Sequence, residues 1–290
     1  MLTGHDDNMA KEHTTAPLNA PSPTGRWVLW GYSVYLFLPM LLVLVGTFGE
    51  NWSNSLLPSG FTFKWLRELW EDNSYRQALG VSVGTAVAAA AVNLVLGLPL
   101  ALALRRPQGA WGIWGVATRW LLISPIAVPA VTLGFGYVVL FSSEGLPWLG
   151  SWWVLFAGHV VLTLPYMLNA LLNGLRHQNV DLWMQAAQTL GATPSQALWQ
   201  VAVPALRAPM ASGAVLCCAL SVGEFNLSNL VAGFENRTFP VLMLQAFYGA
   251  TGFACAATLV LLLVALMAAG ASARTSALGL PADPVSRKTT

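Results

Sequence analysis

Glu224 is the one carboxylate well inside an apolar run of this chain, in the stretch SVGEFNLSNL. An ionisable group at such depth is expensive unless it lines a pathway or is held by polar neighbours. Two readings stay open. Glu224, with Phe225 and Asn226, is a candidate pathway or gate; alternatively it is hydrogen-bonded to neighbouring helices or snorkels to the interface. His159 is the only histidine inside an apolar stretch. Without acidic or Cys companions it reads as a hydrogen-bonded packing residue rather than a ligand. Cys217, Cys218 and Cys255 have neither metal-ligand nor disulfide spacing and read as small core residues. Ser212 lacks the setting of a membrane serine nucleophile, no HExxH occurs, and His159 precedes Ser212 instead of following it. The lysines, Lys11, Lys64 and Lys288, all lie outside any glycine-rich loop, so the chain has no P-loop with which to hydrolyse ATP. The expectation is a chain that is not an enzyme, with no catalytic residue, no metal site and no cofactor of its own.

A different kind of signal stands at residues 185–204, QAAQTLGATPSQALWQVAVP. The stretch is too polar to span a bilayer and too well punctuated to be a slack loop. Asp181 is placed to cap a helix running through Leu190, and Gly191 suits the position that ends it. Thr193 can cap a second helix, with Pro194 at its first position and Gln196 where a capping box wants Glu or Gln. Pro204 is expected to end that helix. Ala186 and Ala187 give the first helix a small-residue face that another protein can approach closely. The pair reads as a docking knob.

The elements that must carry these residues are membrane spans. Of the 290 residues, 56% are hydrophobic and 9% charged, and the mean hydropathy is +0.59. Soluble domains carry about 25% charged residues. Runs long enough for a bilayer, roughly 20 residues, occur at about 27–48, 79–104, 120–141, 152–173, 209–230 and 253–273. The fold class is therefore all-α: a polytopic membrane protein of six transmembrane helices, with the helix pair between the fourth and fifth. Placing the N-terminus inside puts Lys11, Arg26, Arg105, Arg106, Arg119, Arg176, Arg207, Arg274, Arg287 and Lys288 on the inner side. Only Lys64, Arg67, Arg76 and Arg237 then lie outside, which favours both termini in the cytoplasm.

Trp27, Trp120, Trp148, Trp152 and Trp153 fall near span ends and read as interface anchors. Residues 60–80 contain a short amphipathic helix, Trp65, Leu66, Leu69 and Trp70 lying opposite Arg67, Glu68, Glu71 and Asp72. Pro39, Pro99, Pro165 and the stretch SPIAVPAVTLGFG at 124–136 interrupt the spans. Such breaks are tolerated where neighbouring helices or a water-lined cavity satisfy the freed backbone groups. The first 25 residues contain no apolar block, so no cleaved signal peptide is expected at the extreme N-terminus. The domain reading is 1–25 a flexible cytoplasmic tail, 26–59 the first transmembrane helix and start of an outer loop, 60–273 the transmembrane domain with the helix pair at 181–204, and 274–290 a second cytoplasmic tail.

The spacing at 185–204 resembles the cytoplasmic signature EAA-x3-G-x9-I-x-L-P of the membrane subunits of binding-protein-dependent ATP-binding-cassette (ABC) importers. Gln185-Ala186-Ala187, Gly191, Val201, Val203 and Pro204 match every interval. GFTFKWLRELWEDNSYRQALGVSVGTA resembles the stretch leading into the second span of such type I permeases, SPIAVPAVTLGFG their third, and SVGEF a motif near the end of the fifth. The resemblance covers roughly residues 60–272.

It implies a permease subunit forming a solute pathway. Residues 181–204 would be coupling helices docked on a separate ATPase, with Gln185, Ala186, Ala187, Gly191, Pro194 and Pro204 as the docking residues. It also implies two ATPase subunits that hydrolyse the ATP, a second permease subunit (a different chain or a second copy), an external solute-binding protein and membrane lipid as partners. No nucleic acid is expected. The setting would be a bacterial inner membrane, with the chain multi-pass. Branches with GEF-like motifs handle oxyanions, ferric iron, thiamine, polyamines and phosphonates. One departure stands out: Gln185 replaces the family's Glu and loses the charge-assisted part of any hydrogen bond there, which favours pairing with a different permease. A secondary transporter or channel working without an ATPase is the alternative.

Overall fold

Apolar runs this long, with no polar face, can only become helices that satisfy their own backbone. The computed structural model describes residues 23–52, 58–104, 117, 120, 124–125 and 127–278. The long helices are α1 (Pro23–Phe48), α3 (Asn73–Leu104), α5 (Trp152–His177) and α11 (Thr251–Leu278). Between them lie α2 (Lys64–Glu71), α4 (Ala130–Phe141), α6 (Val180–Thr189), α7 (Pro194–Ala205), α8 (Arg207–Val222), α9 (Asn226–Val231) and α10 (Phe239–Phe247). Among the described residues four helices are long and apolar enough to cross a membrane: Thr24–Phe48, Asn73–Leu104, Trp152–His177 and Thr251–Ala268. A fifth is added if α7 and α8, bent by 63°, count as one span. Of the span expected at 120–141, only α4 is described as a regular helix, starting behind Pro129; most of 117–126 lies outside the described residues, as do 1–22 and 279–290 of the two expected tails.

Helices α3, α5 and α8 pack against one another, α11 lies against α8, and α1 lies against α11. The buried face of α3 explains how closely they approach. It consists of Ala78, Ser82, Thr85, Ala86, Ala89, Ala90, Asn93, Gly97 and Ala101, small residues recurring every three or four positions. In lipid, helix association depends on van der Waals contact and hydrogen bonds rather than on escape from water, so small residues at this spacing are what bring backbones together. By contrast the apolar window of α1 is 0% buried, so this helix presents its side chains outward. One end of the bundle is closed by Leu69, Ala78, Phe239, Leu242 and Ala257. At the other end Ala101, Leu171, Leu175, Val180, Met184, Ala197, Ala202 and Leu206 form the core on which α6 and α7 sit.

Several expectations are corrected here. The chain is not wholly helical, because Gly49–Asn51 and Ser59–Phe61 pair as an antiparallel ribbon, Gly49 opposite Phe61 and Asn51 opposite Ser59. The Trp65 indole donates to the Gly49 carbonyl at 2.8 Å, tying α2 onto this ribbon. In α2, Leu69 is buried but Trp70 is 67% exposed. Pro39, Pro99 and Pro165 do not interrupt their helices, which run straight through them. Trp152 makes contacts within the bundle: its indole donates to the Thr85 hydroxyl at 3.2 Å and its ring stacks on Phe156.

The fifth span, expected over 209–230, stops at Val222. Glu224 and Phe225 form a break before the separate helix α9. The expectation also missed α10, whose first amide, that of Phe239, donates to the Ser82 hydroxyl at 2.8 Å, while the Tyr75 hydroxyl donates to the Leu242 carbonyl at 3.0 Å.

Candidate functional site: a protruding helix pair and a buried polar chain

Helix α5 ends at His177, and Asn179 turns the chain through a left-handed conformation (φ 48°) straight into α6. Asp181 is therefore not the cap of α6. It lies in the first turn, with Asn179 in the cap position, where a carboxylate still faces the positive end of the helix dipole. The end of α6 is a complete Schellman motif. Ala192 N–H donates to the Ala187 carbonyl and Gly191 N–H to the Gln188 carbonyl, both at 3.0 Å, and Gly191 adopts φ 90°. A capping box then opens α7: Gln196 N–H donates to the Thr193 hydroxyl at 3.3 Å, and Thr193 N–H donates to Gln196 Oε1 at 2.8 Å. Pro194 occupies the first turn.

Pro204 does not end α7. Having no N–H, it cannot bond back to the carbonyl four residues earlier. The helix loosens into a π turn over Leu198–Ala202, closed by the Val203 N–H on the Leu198 carbonyl, and the real corner comes at Leu206.

Val180, Met184, Ala197, Ala202 and Leu206 bury one side of the pair. The other side exposes Gln185, Ala186, Gly191 and Pro194 together, whereas Ala187 and Pro204 are half-buried. Four large apolar side chains that the motif did not single out are exposed on the same pair: Leu182, Trp183, Leu190 and Trp199. Leu190, next to the Gly191 turn, is 89% exposed. The signal was available for Leu182, which at helical spacing lies opposite the face of Val180 and Met184.

The second feature lies at the opposite end of α8. Glu224 Oε1 accepts from Leu227 N–H at 3.0 Å, and Oε2 accepts from Ser228 N–H at 2.9 Å and from the Ser228 hydroxyl at 3.0 Å. The carboxylate thus caps the start of α9, which is why the apolar run there does not continue as one helix. The Ser228 hydroxyl lies 3.0 Å from His159 Nε2, and the Ser221 hydroxyl 2.6 Å from His159 Nδ1. The chain extends along α5 and across to α3: the Thr163 hydroxyl donates to the His159 carbonyl and Asn93 Nδ2 donates to the Thr163 hydroxyl, both at 2.7 Å.

Helix α9 can sit this close to α5 because of Gly158, where a Cβ would stand 2.7 Å from Leu227 Cδ2. Phe225 is half-buried and Asn226 exposed. A serine beside a histidine invites a nucleophile reading, but Ser221 is 2% and His159 1% exposed, so no substrate can reach them. The Ser212 hydroxyl donates to the Pro209 carbonyl.

A capped helix pair lies at one end of the bundle and a capped break at the other, and comparison with known families shows where such a chain belongs. The family model described as "binding-protein-dependent transport system inner membrane component" matches residues 94–274, well over half the chain. The chain belongs to that family. Its members are permease subunits of ABC importers, a transport family rather than an enzyme family, which sets aside the secondary-transporter alternative.

Among curated relatives of this permease, the candidate 2-aminoethylphosphonate transport system permease PhnV of Salmonella typhimurium (strain LT2) is 31% identical over 214 residues, covering 72% of this chain and 77% of PhnV. The putrescine permease PotI of Escherichia coli (strain K12) is 26% identical, over 79% and 82% of the two chains. The molybdenum permease ModB of Mycobacterium tuberculosis is 29% identical, over 89% and 97%. Among solved structures, a bacterial ABC transporter that imports the acidic polysaccharide alginate superposes with a TM-score of 0.64 at 15% identity, covering 87% of this chain and 94% of its own. The MetNI methionine transporter in an inward-facing conformation gives 0.60 at 15% identity, covering 74% and 99%. The permease fold is thus shared with importers of unlike cargo.

Proposed function

We propose that this chain crosses a bacterial inner membrane six times with both termini in the cytoplasm, and that α6 and α7 are the coupling helices through which it engages its ATPase. One observation carries the reading: the turn between the two helices is fixed on both sides by backbone caps, and the pair exposes Leu190, Trp183 and Ala186. Gln185, Ala186, Gly191 and Pro194 form the contact surface, with Ala187 and Pro204 setting its seat on the bundle. ATP is bound and hydrolysed by two partner ATPase subunits. A second permease subunit completes the pathway, and an external solute-binding protein delivers cargo to the opposite end. Residues 1–25 and 274–290 are cytoplasmic tails. The break at Glu224, Phe225 and Asn226 is the gate of this subunit. The cargo is a small charged solute, the kind that the names of PhnV and PotI describe.

Leu190→Asp tests the docking. Leu190 is 89% exposed, so the change leaves membrane insertion and thermal stability intact, within about 0.5 kcal/mol, while co-purification with the ATPase is lost. Undiminished co-purification contradicts the proposal.

A further inference from the structure

Buried hydrogen-bonding groups within a membrane bundle must be matched to one another, because no solvent is there to substitute. The group around His159 is matched in one direction only. Ser228 has a single hydroxyl proton, which it donates to Glu224 Oε2. Its oxygen, 3.0 Å from His159 Nε2, therefore accepts, and Nε2 carries the ring proton. Nδ1 is then the bare nitrogen and accepts from the Ser221 hydroxyl at 2.6 Å. The donors run from Ser221 to His159 to Ser228 to Glu224, and the carboxylate at the end also takes the Leu227 and Ser228 amides.

These side chains belong to three different helices. Ser221 is in the last turn of α8, His159 is on α5, and Ser228 is on α9. Helix α8 is an unbroken 16-residue rod. Its other end meets α7 at Leu206, which is 0% exposed and stands at the 63° corner. A displacement entering at Leu206 is carried along this rod to Ser221, where it loads the bond to His159.

We propose that this chain of hydrogen bonds is a latch: it keeps α9 seated on α5 in the resting importer, and movement of α8 releases it at the Ser221–His159 joint. His159 is the positioning residue, presenting Ser228 to Glu224 on one side and receiving α8 on the other. The inference rests on the permease reading and adds to it what holds the gate segment shut.

The test uses the assembled importer in lipid nanodiscs, with ATP and without binding protein or solute. Ser221→Ala removes only the α8 joint. ATP hydrolysis then rises by roughly 5-fold or more, the low end of allosteric coupling, while deuterium exchange at the Leu227 and Ser228 amides stays as in the parent. His159→Leu raises hydrolysis as well and also speeds exchange at those amides, since Ser228 loses its donor. His159→Gln, whose amide offers a donor and an acceptor, returns both readings towards the parent values. An unchanged or lowered rate in Ser221→Ala, in a complex that assembles normally, overturns the latch and leaves the docking proposal standing. Failure of the parent chain to assemble with any ATPase overturns both.

Discussion

Thr193 and Gln196 hold each other by reciprocal bonds: the Gln196 amide donates to the Thr193 hydroxyl, and Gln196 Oε1 accepts the Thr193 amide at 2.8 Å. This box closes the turn that joins α6 to α7, so the surface around Gln185 and Ala186 has a defined shape before any partner arrives. A preformed surface binds without first having to be ordered.

Thr193→Ala therefore loosens the start of α7. The loss of a cap is worth about 1 kcal/mol. Amide exchange of Gln196 should quicken several-fold and ATPase co-purification should weaken, with the long helices unaffected.

Gly191→Ala separates backbone strain from crowding. A Cβ at that position meets nothing within 4 Å, so the whole effect comes from the left-handed backbone at φ 90°. The expected loss is about 1–2 kcal/mol, read as a lowered midpoint for local proteolysis of the α6–α7 turn. Gly191→Asn should lose less, because Asn tolerates that region better.

Gln185→Glu restores the carboxylate of the family motif on an exposed position. Thermal stability should stay within about 0.5 kcal/mol of the parent. Binding to the ATPase should become more sensitive to salt, because a charged acceptor replaces a neutral one. Affinity titrations at two ionic strengths check this.

Glu224→Gln keeps the size of the side chain but turns one acceptor into an amide. The cap of α9 then loses at least one of its three accepted bonds. Exchange at Leu227 or Ser228 should rise and transport in proteoliposomes should fall, while insertion and ATPase co-purification remain.

What was legible in the sequence was local. Gly191, Thr193, Pro194 and Gln196 act within one or two turns, so their types and order suffice to place the corner between α6 and α7. The cap of α6 was misplaced to Asp181 because it depends on the left-handed conformation of Asn179, which residue type alone does not dictate. The fifth span was read too long because Leu227, Leu230 and Val231 continue the apolar pattern past Val222. Only the bonds made by the Glu224 carboxylate reveal that a new helix starts there. The polar chain was out of reach for a related reason: Asn93 and Thr163 lie 70 residues apart and His159 and Ser228 lie 69 apart, so their pairing exists only in the folded bundle. His159 was recognised as a hydrogen-bonded packing residue, but its partners were not.

A photo-crosslinking amino acid at position 186, in the assembled importer, shows whether α6 and α7 meet the ATPase. Docking through α6 and α7 requires an adduct between position 186 and the ATPase subunit, and none with the ATPase from the same probe at position 234, the exposed Phe234 near the opposite end of the bundle. An ATPase adduct from position 234 and none from position 186 would contradict both the docking surface and the orientation of the chain in the membrane.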